Sequence, residues 1–113
     1  MINQLRLYDI PRDNKGPFLD RFRDHAARLM AQHGFRIQAM WVADDDHRLR
    51  FVYLLAWQDE DEMRTAWQSF MADEEWARIK AETSARHGDF VLGIEDIVLT
   101  PADFSDAIGD GGI

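Results

Sequence analysis

Three short stretches place groups capable of chemistry at the spacing of extended chain. In "INQLRLYDI", residues 2–10, Gln4, Arg6 and Tyr8 recur at every second position and therefore share one face of a strand. On such a face Arg6 could hold a carboxylate or an enolate, and Tyr8 could donate to a developing oxyanion. The alternative is a salt bridge from Arg6 to Glu95, with Tyr8 at the rim. Glu95 stands in "GIEDIVL" among apolar neighbours, where burial would raise its pKa toward the range of a general base. Tyr53 is the one hydroxyl in the middle of the apolar run "LRFVYLLAW", so it either lines a pocket or packs in a seam.

The elements that position these groups follow from periodicity and punctuation. The first strand ends at Pro11 and the polar turn "RDNKG". A helix opens around Pro17, which loses nothing in a first turn. Phe18, Phe22, Ala26, Leu29 and His33 carry its helical stripe to a stop at Gly34. "FRIQAMWVA" is a second strand, "DDDH" the turn, and residues 48–57 a third strand. Asp59 with Glu62 three residues on forms an N-cap with capping-box support, ahead of a stripe of Met63, Ala66, Trp67 and Phe70. Asp73 caps a further helix with Trp76, Ile79 and Thr83 inward, closed by "RHG". "DFVLGIEDIVL" is the last strand, stopped by Pro101. The order β-α-β-β-α-α-β is that of an α+β, ferredoxin-like subunit: a four-stranded antiparallel sheet with helices on one face. One domain over residues 1–105 is expected, with 106–113 as a flexible, glycine-rich tail.

Helices on one face leave the other open, and the third strand suggests that the open face is not simply wet. Val52, Leu54 and Ala56 are compact aliphatics suited to packing on helices, which assigns Leu49, Phe51, Tyr53, Leu55 and Trp57 to the open side. So large an apolar surface is unusual on a monomer. A second copy closing over it would create a cavity, with Phe51 and Leu55 in its wall and Tyr53 facing a ligand or hydrogen-bonding at the seam. On the second strand, Phe35, Ile37, Ala39 and Trp41 turn to the helices, leaving Gln38 and Met40 as cavity residues. A one-residue shift in the hairpin would exchange them for Trp41.

Acids outnumber bases 21 to 13, a net charge of −8, which disfavours nucleic acid and anionic membrane surfaces as partners. No apolar stretch is long enough to cross a bilayer, and the N-terminus lacks a secretion signal. The absence of cysteine rules out disulfides and thiolate metal sites and fits a cytoplasmic protein. His33 and His87 precede helix-stopping glycines and are expected to favour the helix dipole. His25 flanks an apolar stripe, and His47 follows three aspartates in a solvated hairpin tip. No metal or cofactor is expected, and no P-loop, dinucleotide fingerprint or nucleophile motif is present.

The stretches "DRFRDHAARLMAQHGFRIQAMW", "FVYLLAWQDEDEMRTAWQSFMADEEWARI" and "EDIVLTPADFS" resemble the NIPSNAP family, a branch of the dimeric α/β-barrel superfamily, from Asn3 to Ser105. His33-Gly34-Phe35, Trp41, the Ala72-Asp73-x-x-Trp76 helix start and Pro101-x-x-Phe104-Ser105 carry it by their order and spacing. The resemblance implies a homodimer joined through the open sheet face, with Gln4, Arg6 and Tyr8 looking into the barrel. The chain departs from the family pattern where a pocket would be. Gln4 stands for a first-strand acid, Asp46-His47 for a Gly-Pro, Leu49 for an asparagine and Tyr53 for a strand histidine, so any role of that imidazole is in question here.

Two functions follow. One is a homodimer that binds a small hydrophobic or aromatic molecule in a cavity over the sheet. Superfamily relatives imply that any catalysis would be cofactor-free isomerisation, cyclisation or oxygenation. Tyr53 or Glu95 would then move the proton, and Arg6 with Gln4 or Gln38 would steady the anion. The other is a binding or assembly module whose open face serves dimerisation only. Haem capture, known among superfamily relatives, would need an axial ligand facing the cavity.

Overall fold

The computed structural model describes residues 1–106 and 108. Strand β1 (Ile2–Ile10) leads through a 3-10 turn (Arg12–Asn14) into α1 (Lys15–Arg21). A π-helical turn (Phe22–Ala26) joins α1 to α2 (Ala27–Gln32) with helical backbone on both sides, so the three run on as one rod. Strands β2 (Arg36–Asp44) and β3 (Leu49–Trp57) form a hairpin, followed by α3 (Glu60–Met71), α4 (Glu74–His87) and β4 (Gly93–Leu99). The sheet is antiparallel throughout, in the order β2-β3-β1-β4. This is the ferredoxin-like α+β subunit expected from the element order. No helix among the described residues is long and apolar enough to cross a membrane.

Local chemistry sets the boundaries. The carboxylate of Asp59 accepts the Glu62 N–H at 2.8 Å, and Asp73 accepts the Trp76 N–H at 2.9 Å, each filling a donor that a helix start leaves open. Gly34 (φ 90°) and Gly88 (φ 80°) end the rods in a conformation that a side chain would strain. Buried Asn14 donates to the carbonyls of His87 (3.0 Å) and Asp89 (2.6 Å), tying the start of α1 to the end of α4. Of residues 89–92, Leu92 donates its N–H to the Asp9 carbonyl (2.7 Å), but the regular ladder begins at Gly93, so the last strand is shorter than its apolar pattern suggested. Phe90 is drawn into the core instead, under Arg21 and His87.

The helices cover the face opposite to the one expected. Leu49, Phe51, Tyr53, Leu55 and Trp57 are core residues, packed with Phe18, Phe22, Phe35 and Phe70. Val52, Leu54 and Ala56 lie on the open face beside Leu5, Leu7 and Asn3. The reason is volume. β3 is an inner strand, and the gap between sheet and helices takes large rings, whereas the open side takes compact aliphatics. A bulge between Ile37 and Ala39 then reverses the outer half of β2. Ile37 pairs with Leu55 on the inner side, while Ala39 pairs with Leu54 and Trp41 with Val52 on the open side. Trp41 is therefore an open-face residue, 50% exposed.

Candidate functional site

The inner face carries a polar network set among rings. Period two along β1 turns Gln4, Arg6 and Tyr8 inward together, and the register sets Arg6 between Tyr53 on β3 and Asp96 on β4. The amide oxygen of Gln4 accepts the indole N–H groups of Trp57 (2.9 Å) and Trp67 (2.8 Å), while its nitrogen donates to Asp96 (2.9 Å). Arg6 donates from Nη1 to Asp96 (2.9 Å) and from Nη2 to the Tyr8 hydroxyl (3.1 Å), with its guanidinium 4.3 Å from the Trp67 ring centre. The Tyr8 and Tyr53 hydroxyls are 2.5 Å apart.

Hydrogen-bond accounting assigns the protons in this chain. Burial pushes the Tyr53 phenol well above its ordinary pKa, Tyr8 adds to the rise, and Arg6 opposes it only in part, so Tyr53 is neutral. Its buried hydrogen needs an acceptor, and among the described residues that is the Tyr8 oxygen. With Arg6 and Tyr53 filling its two lone pairs, the Tyr8 oxygen leaves its own O–H free to donate. Burial by itself would lower the Arg6 pKa; the facing tyrosine oxygens outweigh it and hold the guanidinium above its ordinary value.

Arg6 and Tyr8 line a cavity of about 160 Å³ between sheet and helices. Phe18, Phe22, Phe70, Trp67 and Trp76 supply ring walls, and Val91 and Ile94 close the β4 side. Its charged lining is entirely cationic: Arg6, Arg21 and Lys80. The π-helical turn carries Phe22 and Ala26 into this wall, a common place for such a turn. A larger hollow beside His33 is broad and open. There His33 Nδ1 meets Ser69 (2.6 Å) and Nε2 meets Asp73 (2.7 Å), a Ser-His-Asp row by composition. Ser69 sits inside α3, where neighbouring N–H groups are spent on the helix, so no oxyanion donors surround it. The histidine instead ties α2 to the α3–α4 joint, and its hydrogen bond holds Asp73 below the usual carboxylate pKa. His33 is thus a tether between helices, in place of the expected dipole role.

The residues expected to act together are divided by the sheet. Arg6 and Tyr8 line the cavity; Gln4 and Tyr53 stand immediately behind them, Tyr53 with 0% exposure. Glu95 pairs with Leu7 on the other face, its side chain 56% exposed and 4.0 Å from Arg48. It is neither buried nor the partner of Arg6; one step in register gives that place to Asp96. Gln38 is the bulge residue and accepts from Asn3 at 2.8 Å on the open side. Met40 borders a groove at the β2 edge with Phe51, while Leu55 is wholly buried. At the hairpin tip, Asp44 pairs with Arg12 (2.7 Å), and Asp45 accepts the N–H groups of His47 and Arg48. Arg21, Trp67, Trp76 and Lys80 were not expected at the site. The spacing Phe18–Arg21–Phe22 is the signal that could have revealed Arg21, since i+3 and i+4 share a helix face.

Comparison with known proteins agrees with this architecture. The NIPSNAP family profile matches residues 3–106. An uncharacterised NIPSNAP domain protein from Burkholderia xenovorans superposes with a TM-score of 0.79 at 20% identity, covering 95% of this chain and 100% of that one. A NIPSNAP family protein from Agrobacterium tumefaciens gives 0.79 at 18%, covering 92% and 95%. A Streptomyces coelicolor monooxygenase solved with nanaomycin D gives 0.58 at 11%, covering 95% and 92%. No curated protein matches the chain.

Proposed function

The chain belongs to the NIPSNAP family, and on that premise we propose that it is a small-molecule-binding protein holding a one-ring aromatic ligand between sheet and helices. The cavity carries the proposal, because it combines ring walls with a hydroxyl whose hydrogen is uncommitted. A volume near 160 Å³ suits such a ligand: about 150 Å³ of cavity admits benzene. Haem does not fit that space. The monooxygenase solved with the ligand nanaomycin D supports a bound small molecule in a related fold. Tyr8 and Arg6 would stabilise a phenolate or enolate oxygen of the ligand, which suits cofactor-free isomerisation, cyclisation or oxygenation. A second reading, binding without catalysis, is favoured by the lining itself: it offers no carboxylate or imidazole to act as base. Both readings include a homodimer formed through the open face, whose apolar residues support it, in the cytoplasm, which the lack of cysteine suits.

Titration with p-cresol, followed by tryptophan fluorescence, tests the cavity, since Trp67 and Trp76 line it. Saturable binding is expected, weakened about tenfold by Tyr8→Phe, one hydrogen bond's worth. Tyr53→Phe should weaken binding less and cost stability about 1 kcal/mol. No binding at millimolar p-cresol would overturn the proposal.

A further inference from the structure

We infer that the cavity selects a one-ring aromatic acid, with the ligand's carboxylate held by Arg21 and Lys80 at the end remote from the sheet. The inference rests on the cavity being the ligand site, and deepens it by naming the ligand's charge. Its first support is Arg21. The residue is 9% exposed, yet no carboxylate among the described residues lies within ion-pair distance. Its one hydrogen bond runs from Nη1 to the Thr83 hydroxyl (3.0 Å), and that hydroxyl itself donates to the Ile79 carbonyl (2.7 Å). The guanidinium lies 4.2 Å from the ring centre of Phe90 and 5.3 Å from that of Trp76. A group with five donors is thus held in place by rings, with its remaining donors open to solvent or to a ligand. Burial pulls its pKa down to about 10, so it stays cationic at neutral pH.

The second support is the charge of the whole lining. The chain has 21 acids against 13 bases, and still no acid among the described residues lines this cavity. Arg6 has Asp96 as counterion, whereas Arg21 and Lys80 have none among the described residues. Arg21 borders this cavity and also the neighbouring hollow, where Thr83 and Phe90 hold its guanidinium. An anion in the cavity within reach of that planar fork could be held by both oxygens, with Lys80 on the same lining. A volume near 160 Å³ leaves room for one aromatic ring. With a phenolic or enolic oxygen at Tyr8, the carboxylate would be directed to Arg21 on α1 and Lys80 on α4.

The test is a paired titration of 4-hydroxybenzoate and 4-hydroxybenzamide, near-isosteres differing in charge, by calorimetry on the full chain. The acid is expected to bind at least about tenfold more tightly. Arg21→Met should abolish that preference while keeping amide affinity within about threefold. Lys80→Met, half-buried and safe for folding, should reduce it about threefold. Equal affinity for acid and amide in the unmodified chain would overturn the inference and leave the aromatic site standing, as would a preference that survives both substitutions. Failure of both compounds, like that of p-cresol, would overturn the site and the inference together.

Discussion

The two faces of this one sheet solve different problems with the same alternation. The inner face carries Gln4, Arg6, Tyr8 and Tyr53, polar groups fixed by one another beneath a roof of helices. The outer face carries Leu5, Leu7, Trp41, Val52 and Ile97, with no helix over them. Polar groups appear where cover excludes water and makes each hydrogen bond count. Aliphatics and Trp41 appear where no helix among the described residues covers them, interspersed with Asn3, Gln38, Asp9, Arg50 and Glu95. Such a mixed apolar surface suits contact with another protein. The difference teaches that, under the proposed function, the ligand and a second copy would meet opposite faces of a single β-layer.

The largest expected effect breaks the outer half of that contrast. Trp41→Glu places a charge on the edge strand of the open face without disturbing the core, since Trp41 is half-exposed. The unmodified chain should sediment as a dimer at micromolar concentration, and the variant should dissociate at least about a hundredfold more readily. A single protomer before substitution would break the comparison, for the outer face would then tolerate water unaided. Next comes the inner network. Gln4→Met strands two indole N–H groups and removes the amide donor to the Asp96 carboxylate, and should cost about 2–4 kcal/mol in urea unfolding. A change below about 0.5 kcal/mol would mean that the network is ornamental. Smallest is Glu95→Gln, on the outer face: stability should stay within about 0.5 kcal/mol and p-cresol affinity within twofold. A marked loss of affinity would place Glu95 in the site after all.

Much of the frame was legible from residue types. Asp59, Asp73, Gly34 and Gly88 mark helix ends by chemistry that acts over three or four residues, so the sequence carries it directly. Alternation correctly grouped Gln4 with Arg6 and Tyr8, and Tyr53 with Phe51 and Leu55. What it could not say is which group meets the helices. Both faces of β3 are apolar, and the choice depends on ring packing contributed by Phe18, Phe22, Phe35 and Phe70. The bulge at β2 left no mark in the apolar pattern, so Ala39, Met40 and Trp41 were placed on the wrong sides, while Gln38 lies on the open side as expected. Arg6 was offered a carboxylate on the last strand, but a step of one residue separates Glu95 from Asp96 and opposite sides of the sheet.

By itself, the order of residues determined the elements, their caps, the antiparallel α+β plan and the sharing of one face by Gln4, Arg6 and Tyr8. These follow from forces that reach a few residues along the chain. Only the tertiary structure decided that this face lies under the helices, that Tyr53 stands behind Tyr8, and that Arg21 and Lys80 join Arg6 around one cavity. Those facts depend on volumes and registers summed over segments as far apart as β1 and β4, where a shift of one position turns a side chain to the opposite side.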